Sequence, residues 1–426
     1  MDAQVDEMRS IEAFELYESS VRSYCRDFPA VFSRSMGDFI FDERGERYVD
    51  LFCGAGALNY GHNHPSQRQD LLDYISGAGI THSLDFFTEA KRQFITDFQN
   101  IILRPRQLEY RMMFCGPTGT NSVEAAIKLA RKVTGRSSIG AFTNGYHGMT
   151  LGSLAATGSS EKRRGAGVPL SFVDRYPFDG YLGPGVNTVE YIEKLLDDPS
   201  SGFDIPAAFL LETVQAEGGI NVASFPWLRD LALLARKYGI LLIVDDIQTG
   251  CGRTGAFFSF DAPGLTPDMV CLSKSLSGYG LPLALVLIRP ELDIWTPGEH
   301  NGTFRGNNLA FVTASAALRL WNDTNFTKLV DKNCEITRQA LAEILTERSN
   351  SMTIRGRGLI WGLAFDGPAQ AAHVSKRMFE KKVIVETCGA RQEVVKLLPA
   401  LNINPDILEE SLSILRAIVL NESDYC

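Results

Sequence analysis

GILLIVDDIQTGCGRTG (239–255) is followed by DMVCLSKSLSGYG (268–280), and the reading of these two stretches decides the fold. Each opens on an unbroken apolar run of strand length. The first ends on Asp245 and Asp246, the second on Lys274. An uninterrupted apolar run, rather than an alternating one, marks a strand covered on both faces. YRMMFCG (110–116), SIGAFTN (138–144), AAFLLETV (207–214) and LPLALVLI (281–288) have the same texture. Between them lie helical patterns, among them NSVEAAIKLARKV (121–133) and FPWLRDLALLARKYG (225–239). Alternating strands and helices imply an α/β fold with a large, mostly parallel sheet wrapped on both sides.

From about Ala317 onward the texture changes. LVDKNCEITRQALAEILTE (329–347) is an amphipathic helix, and TIRGRGLIWGLAF (353–365) and EVVKLLPALNI (393–403) read as strands of a smaller α+β lobe. FIFDERGERYVDLF (39–52) predicts a hairpin turning at Glu43-Arg44-Gly45 and joining that lobe. The expected division is an N-terminal segment 1–60 belonging to the small domain, a large domain 61–316 and the small domain 317–426. A chain of 426 residues with 45% hydrophobic and 22% charged side chains buries enough surface to need neither disulfides nor a structural metal.

Composition excludes several function classes. Lys and Arg total 42 against 51 Asp and Glu, a formal charge of -9 without a basic stripe, which disfavours a nucleic-acid partner. No apolar run reaches the roughly 20 residues of a membrane span. The first 20 residues are acidic and amphipathic and lack a secretory apolar region. Eight cysteines (25, 53, 115, 251, 271, 334, 388, 426) are scattered singly with no C-x-x-C pair, so neither a metal site nor a disulfide framework is expected. These features point to a cytoplasmic enzyme.

Five local signals bear on chemistry. GCGRTG, Gly250 to Gly255, matches G-x-G-x-x-G, but a dinucleotide fingerprint must open a helix, and AFFSFDAPG follows instead; it reads as a glycine-rich turn. CGPTGTNSVEAAIKLAR (115–131) runs from a strand through small residues into a helix, a cradle for one phosphate or simply a well-capped turn; Thr118 and Thr120 add hydroxyls. Asp245 and Asp246 sit where ligands of parallel sheets bind, and two adjacent carboxylates ask for a cation such as a protonated pyridine nitrogen. Lys274 is either a snorkelling lysine at the sheet edge or a desolvated amine suited to capturing a carbonyl. Tyr146-His147-Gly148 offers a ring that stacks on a flat cofactor, with His147 read singly as a satisfied core residue. A phosphate cradle, a stacking ring, an anion for a ring nitrogen and an amine for an aldehyde are together what pyridoxal 5′-phosphate (PLP) needs.

With those residues in view, the chain resembles the class III (omega) aminotransferases of PLP fold type I, the aspartate aminotransferase-like fold, over nearly its whole length. LLIVDDIQTGCGRTG followed by SKSLSGYGLPLALVL is similar to that class's signature region, and NYGHNHP, FTNGYHG, LETVQAEGG and NGTFRGNN appear in the family's order. GAGALNYGHN, GPTGTNSVEAAI, PFDGYLG, ETVQAEGGINVA and SLSGYGLP resemble more closely the branch of L-2,4-diaminobutyrate:2-oxoglutarate aminotransferases, found in ectoine, siderophore or antibiotic biosynthesis, with PTGTN where most relatives have NSGSE. The resemblance implies that Lys274 binds the cofactor covalently and shuttles the substrate proton. It implies that Asp245 pairs with the ring nitrogen, Gln248 contacts the ring's phenolic oxygen and Tyr146 stacks. Thr118, Gly119 and Thr120 match the phosphate loop. Thr303 matches a threonine reaching the neighbouring subunit's phosphate, implying a homodimer with shared sites that could pair into larger assemblies. Glu212 and Glu217 fall on the family's two acidic positions, the second the usual partner of a gating arginine. Here the chain departs from the family, because Lys396 stands where that arginine is expected.

The implied reaction passes an amino group from L-glutamate to L-aspartate 4-semialdehyde, giving L-2,4-diaminobutyrate and 2-oxoglutarate. Its rivals are an omega-aminotransferase for ornithine, acetylornithine or 4-aminobutyrate, a semialdehyde aminomutase needing no external keto acid, and a nicotinamide-dependent dehydrogenase built on GCGRTG. The expected partners are small amino acids and keto acids or aldehydes, with no nucleic acid and no membrane.

Overall fold

In the computed structural model, which describes residues 11–347 and 352–421, the continuous apolar runs become strands buried on both faces. The expected absence of a secretory segment concerns a stretch whose first ten residues lie outside the described ones, as does Cys426; the other seven cysteines are unpaired thiols. After two short helices, Glu12–Tyr17 and Tyr24–Asp27, comes an antiparallel meander of β1 (Phe32–Met36), β2 (Phe39–Asp42) and β3 (Arg47–Asp50). Its second turn lies at the anticipated Glu43-Arg44-Gly45: Asp42 Oδ1 accepts the N–H groups of Arg44 and Glu46, and Gly45 takes φ +83°.

The large sheet is built from β4 (Arg111–Phe114), β5 (Ile139–Phe142), β6 (Val173–Tyr176) and β7 (Ala208–Leu211). A short ribbon of β8 (Val214–Gln215) and β9 (Asn221–Val222) interrupts the series, and β10 (Leu241–Asp245), β11 (Met269–Leu272) and β12 (Leu285–Ile288) complete it. The seven strands lie in the order β4-β12-β11-β10-β7-β5-β6. Only β12 opposes its neighbours, so the sheet is mostly parallel. Every residue of β5, β7, β11 and β12 is buried, which is why none of these strands alternates polar with apolar. Because β5, β7, β10 and β11 run parallel, their C-terminal ends open on one edge of the sheet. Tyr146, Glu212, Asp245 and Lys274 follow those ends, which is where ligands of parallel sheets bind.

The second sheet is antiparallel, in the order β13 (Met352–Arg357), β14 (Ile360–Phe365), β17 (Val394–Leu397) and β16 (Glu386–Cys388). It packs with the helices Thr324–Glu347, Pro368–Glu380 and Pro405–Leu420 around a core of its own that includes Leu341, Leu363, Val374 and Leu415. β15 (Val383–Ile384) pairs in parallel with β3, so the N-terminal meander does join the C-terminal part of the chain.

GCGRTG forms turns rather than the start of a helix, as its sequence implied, and its arginine has a role of its own. Arg253 is fully buried. Its guanidinium donates to the carbonyl of Leu359 at 3.0 Å, to that of Pro399 and to Asn59 Oδ1, three acceptors on three distant segments. None of these acceptors is a carboxylate, though Cys53 and Asp50 also favour the charged form. Burial lowers its pKa to about 10, which still leaves it protonated at neutral pH. Removing the fork strands three acceptors in the interior, where each unsatisfied group costs about 1–3 kcal/mol. Arg253→Met is expected to destabilise the protein by about 3 kcal/mol or more in urea unfolding, and Arg253→Lys to recover only part, because an ammonium cannot span the planar fork. A loss below about 1 kcal/mol in Arg253→Met would show that the clamp is dispensable.

Candidate active site

The cavity at the sheet edge has a volume of about 320 Å³ and is lined by Thr118, Gly119, Thr120, Tyr146, Glu212, Glu217, Asp245, Gln248 and Lys274 among others. The structure thus brings together nine of the residues singled out in the sequence. Lys396 lies immediately behind, in contact with Glu217 and Gln248. Thr303 is exposed and does not line it. Its carbonyl instead meets His82 Nε2 at 2.9 Å.

One end of the cavity is the N-terminus of the helix Gly119–Thr134. Thr118 takes extended dihedrals as its N-cap, and Asn121 Oδ1 accepts both the Thr118 N–H (3.3 Å) and its hydroxyl (2.8 Å). The first-turn N–H groups of a helix have no partners within it and carry its positive end, so an anion is favoured there. Thr120 Oγ1 joins a hydroxyl cluster with Thr150 Oγ1 at 2.7 Å and with Ser153. A Cβ at Gly148 would lie 2.4 Å from Thr120 Oγ1, and one at Gly119 would lie 2.9 Å from Ile247. Glycine is therefore required at both places for the walls to close this tightly.

At the other end is Asp245, whose Oδ2 is 2.8 Å from His147 Nδ1, with both side chains buried. Burial alone would lower the His147 pKa; the Asp245 carboxylate outweighs it and raises it. The cation that adjacent Asp245 and Asp246 called for is thus partly His147. Asp246 points away: it accepts the Thr249 hydroxyl at 2.7 Å and the Ser259 N–H at 3.1 Å, bracing the turn that carries Arg253. Burial pushes its carboxyl up to about 6. Glu212 accepts the Tyr146 N–H at 2.9 Å and so positions that ring; burial raises it to about 7.

Between the two ends, Lys274 begins a short 3-10 turn after β11, with φ +49°. A non-glycine residue held in the left-handed region is strained, and such strain persists only where surrounding structure enforces it. Its Nζ donates to the Ala55 carbonyl at 2.9 Å. That carbonyl comes from a left-handed turn through Cys53, Gly54 and Ala55, and it also accepts from Gln248 Nε2 at 2.8 Å. Burial lowers the Lys274 pKa, with Glu217 opposing, so the neutral amine is more accessible than in water.

The substrate end is a chain of charges. Lys396, fully buried, is 2.6 Å from Glu217 Oε1 and 2.8 Å from Glu386 Oε1. Burial alone would raise Glu217; Lys396 and Lys274 more than offset it and hold the carboxyl at about 2. Glu386 rises to about 7, chiefly through burial. Sequence reading found Glu217 and Lys396 but missed Glu386, His147 as the partner of Asp245, and the Ala55 carbonyl. Glu386 is the register partner of Lys396 across β16–β17, a relation visible only once those strands pair.

This donor set fits PLP. The helix end and its hydroxyls suit the phosphate, Asp245 a protonated ring nitrogen, Tyr146 and Ile247 the ring faces, and the Lys274 amine the aldehyde. The Lys274 amine has no carboxylate within ion-pair distance among the described residues and is bound only to a carbonyl. No cluster of metal-ligating side chains occurs among the described residues.

Comparison with known proteins agrees with this geometry. The family model for class-III aminotransferases matches residues 22–419. The chain is 55% identical over 412 residues to a diaminobutyrate--2-oxoglutarate transaminase of Streptomyces coelicolor, covering 96% of this chain and 97% of that one. It is 52% identical over 406 residues to one of the same name from Halalkalibacterium halodurans, covering 95% of each. Among solved structures, the ornithine aminotransferase of Toxoplasma gondii is similar with a TM-score of 0.84 at 25% identity, covering 99% of this chain and 98% of that one. A Bacillus anthracis aminotransferase superposes with a TM-score of 0.85 over 98% of this chain and 99% of that one; at 21% identity it speaks for the fold alone.

The buried carboxyls give stability a definite pH trend. Between the ordinary value of 4.5 and about 7, folded Glu386 keeps a proton that the unfolded chain has released. Stability from this group is therefore present at low pH and lost as pH rises through that window. Glu212 and His147 act in the same direction. The urea midpoint of cofactor-free protein should fall between pH 5 and 8, and Glu386→Gln should reduce the fall by on the order of 1–2 kcal/mol. Equal falls in parent and variant would mean that Glu386 keeps its ordinary value in the fold.

Proposed function

This chain belongs to the class-III aminotransferase family, and from that premise we propose that it passes an amino group between L-glutamate and L-aspartate 4-semialdehyde, giving 2-oxoglutarate and L-2,4-diaminobutyrate. It is a transaminase of small amino acids and keto acids, and its cofactor is PLP. The observation that carries the substrate is the 51–55% identity, over 95–96% of the chain, to curated relatives that bear the diaminobutyrate name. The observation that carries the chemistry is the half-buried, carbonyl-bound Lys274 amine in one cavity with Asp245 and the Gly119–Thr134 helix end.

When bound, PLP supplies an aldehyde that captures an amine and a cationic ring that withdraws electrons from the carbon bearing it. The protein's share is positioning and proton transfer. Lys274 Nζ, whose neutral form burial favours, would be the group that accepts and hands on the proton of the carbon carrying the transferred nitrogen. Asp245, backed by His147, keeps the ring nitrogen protonated. Thr118, Gly119 and Thr120 would hold the phosphate, and Tyr146, on the wall of the same cavity, would shield the ring from water. Gln248, fastened to Ala55 and Glu217, would contact the phenolic oxygen. Glu212 positions Tyr146 through its backbone. Glu217 and Lys396 form the substrate-facing gate.

The same reading makes the protein a cytoplasmic homodimer. No helix among the described residues is long and apolar enough to cross a membrane. Ile80, Leu84, Phe86, Phe87 and Phe304 are exposed, and His82 packs edge-on against Phe304 with its ring bound to Thr303. These exposed apolar side chains, tied to the Thr303 segment through His82, support a second copy seated there, with Thr303 delivered to the other copy's phosphate.

Three outcomes test these statements. Lys274→Ala should cut turnover to about one ten-thousandth or less, since both proton transfers lose their base; retained turnover would remove Lys274 from the mechanism. The absorption band of the PLP-loaded protein should bleach with L-2,4-diaminobutyrate and L-glutamate but far less with ornithine or 4-aminobutyrate. Bleaching by ornithine alone would leave the family and overturn the substrate. Thr303→Val should weaken PLP binding about tenfold in titration of cofactor-free protein, through loss of one charge-assisted hydrogen bond. An unchanged affinity would separate Thr303 from the phosphate.

A further inference from the structure

A second cavity of about 200 Å³ adjoins the first and shares Tyr146 and Glu217 with it. Its walls are Asn144, Gly145 and Gly158 on the large-sheet side and Gly389, Ala390 and Gln392 on the turn between β16 and β17. These walls are fixed by backbone contact. A Cβ on Gly218 would lie 2.1 Å from the Asn144 carbonyl oxygen, and one on Gly158 would lie 2.9 Å from the Asn144 nitrogen. The Gly389 N–H ties the far wall to the Glu217 carbonyl at 3.1 Å.

Lys162 projects into this space. Its Nζ stands 4.5 Å from the centroid of the Tyr146 ring. Among the described residues that ammonium has no hydrogen-bond acceptor and no carboxylate within ion-pair distance. Glu161, the acidic residue on its turn, also borders this cavity but is exposed, and Glu217 is ion-paired with Lys396. The contrast with Lys396 is informative. Lys396 is fully buried and shared between Glu217 and Glu386, so its charge is spent within the protein. Lys162 is a half-buried cation bordering the site that helps Lys396 and Lys274 hold Glu217 ionised without forming an ion pair or hydrogen bond of its own.

The chemistry of the two substrates supplies the ligand. In glutamate the carboxylate remote from the reacting carbon is three bonds away, from C2 to C5. In 2,4-diaminobutyrate the reacting carbon is C4, and the carboxylate at C1 is again three bonds away. One fixed cation at that distance can therefore receive a carboxylate in both halves of the exchange. We propose that Lys162, braced on the face of Tyr146, is that cation and is a specificity-determining residue for substrates carrying a carboxylate three bonds from the reacting carbon. The assignment rests on the aminotransferase reading. An ammonium over an aromatic face keeps its charge while its position is held.

Single-turnover half-reactions of the PLP-loaded protein, with L-glutamate, L-2,4-diaminobutyrate and norvaline, test it. Norvaline has glutamate's chain length without the remote carboxylate. Lys162→Met should lower the efficiency with glutamate and with diaminobutyrate about ten- to a hundredfold, the range for loss of one charged hydrogen bond. Its efficiency with norvaline should stay within about twofold, and Lys162→Arg should restore most of the loss. As a binding readout, the dissociation constant of glutarate, measured by calorimetry, should rise at least about tenfold in Lys162→Met. An equal loss with norvaline would assign Lys162 a structural role through Tyr146 and overturn the proposal. So would unchanged glutarate binding. If the parent protein accepts an amino group from neither glutamate nor diaminobutyrate, the aminotransferase reading fails and takes this assignment with it. A competent parent with an unaffected Lys162→Met overturns the assignment alone.

Discussion

A guanidinium with no anion to meet it fixes how the two sheets of this molecule stand to each other. Arg253 spends its donors on Leu359 at the entry to β14, on Pro399 just after β17 and on Asn59. A buried charge is costly wherever its donors go unanswered, and Arg253 Nε has no partner among the described residues, so the guanidinium depends on all three segments being in place together. Each leads to the site. Pro399 follows Lys396 by three residues, and the Asn59 N–H donates to Ser275 Oγ, next to Lys274, which in turn donates to the Gly56 carbonyl. Two lysines far apart in the chain are thereby held within the tolerance of a few hydrogen bonds. Catalysis by positioning demands that precision.

The site stores its own cost in two forms. One is backbone strain, with Lys274, Cys53 and Ala55 all at positive φ without being glycine. That geometry turns the Ala55 carbonyl inward to hold the Lys274 amine until a better partner arrives. The other is buried charge: Glu212, Asp245, Glu217, Glu386, Lys274 and Lys396 lie within one region, and burial raises two of the carboxyls to about 7 while the lysines hold a third at about 2. Such divergence among like groups is the usual mark of a site built for proton transfer.

Much of this was legible in the sequence, for physical reasons that differ by element. Strands β5, β7, β10, β11 and β12 were visible because burial on two faces forbids polar residues in an unbroken stretch. The helix end at Thr118 was visible because caps and small residues are chosen by local geometry, and the hairpin at Gly45 because positive φ selects glycine. Thr118, Gly119, Thr120, Tyr146, Asp245, Gln248 and Lys274 could then be gathered, since all follow strand ends on one edge or open the helix there. What stayed hidden depends on pairing between distant segments. The Ala55 carbonyl is backbone and has no residue-type signature. Glu386 acquires meaning only through its register with Lys396, and Arg253 lay inside a glycine motif whose loop gave no hint of a buried fork. Lys162 is an ordinary lysine on a short basic turn until Tyr146 is folded beneath it.

The replacement of the family's arginine by Lys396 is therefore a change of arrangement rather than a weaker copy of one contact. A planar guanidinium presents its donors in a fixed fork that suits one carboxylate at a time. An ammonium distributes three donors around a point, and here two carboxylates and the Gln248 amide oxygen surround it. Glu386 sits opposite Lys396 in the same sheet and moves with it, whereas Glu217 belongs to the loop after β8. If Glu217 swings away to admit a substrate, Lys396 keeps Glu386 as a carboxylate partner, and the departure of the Glu217 charge moves the Glu386 pKa down from its raised value. A ligand reaching Lys396 then meets an ammonium that still has a partner in its own sheet, where a planar fork would turn to one carboxylate at a time.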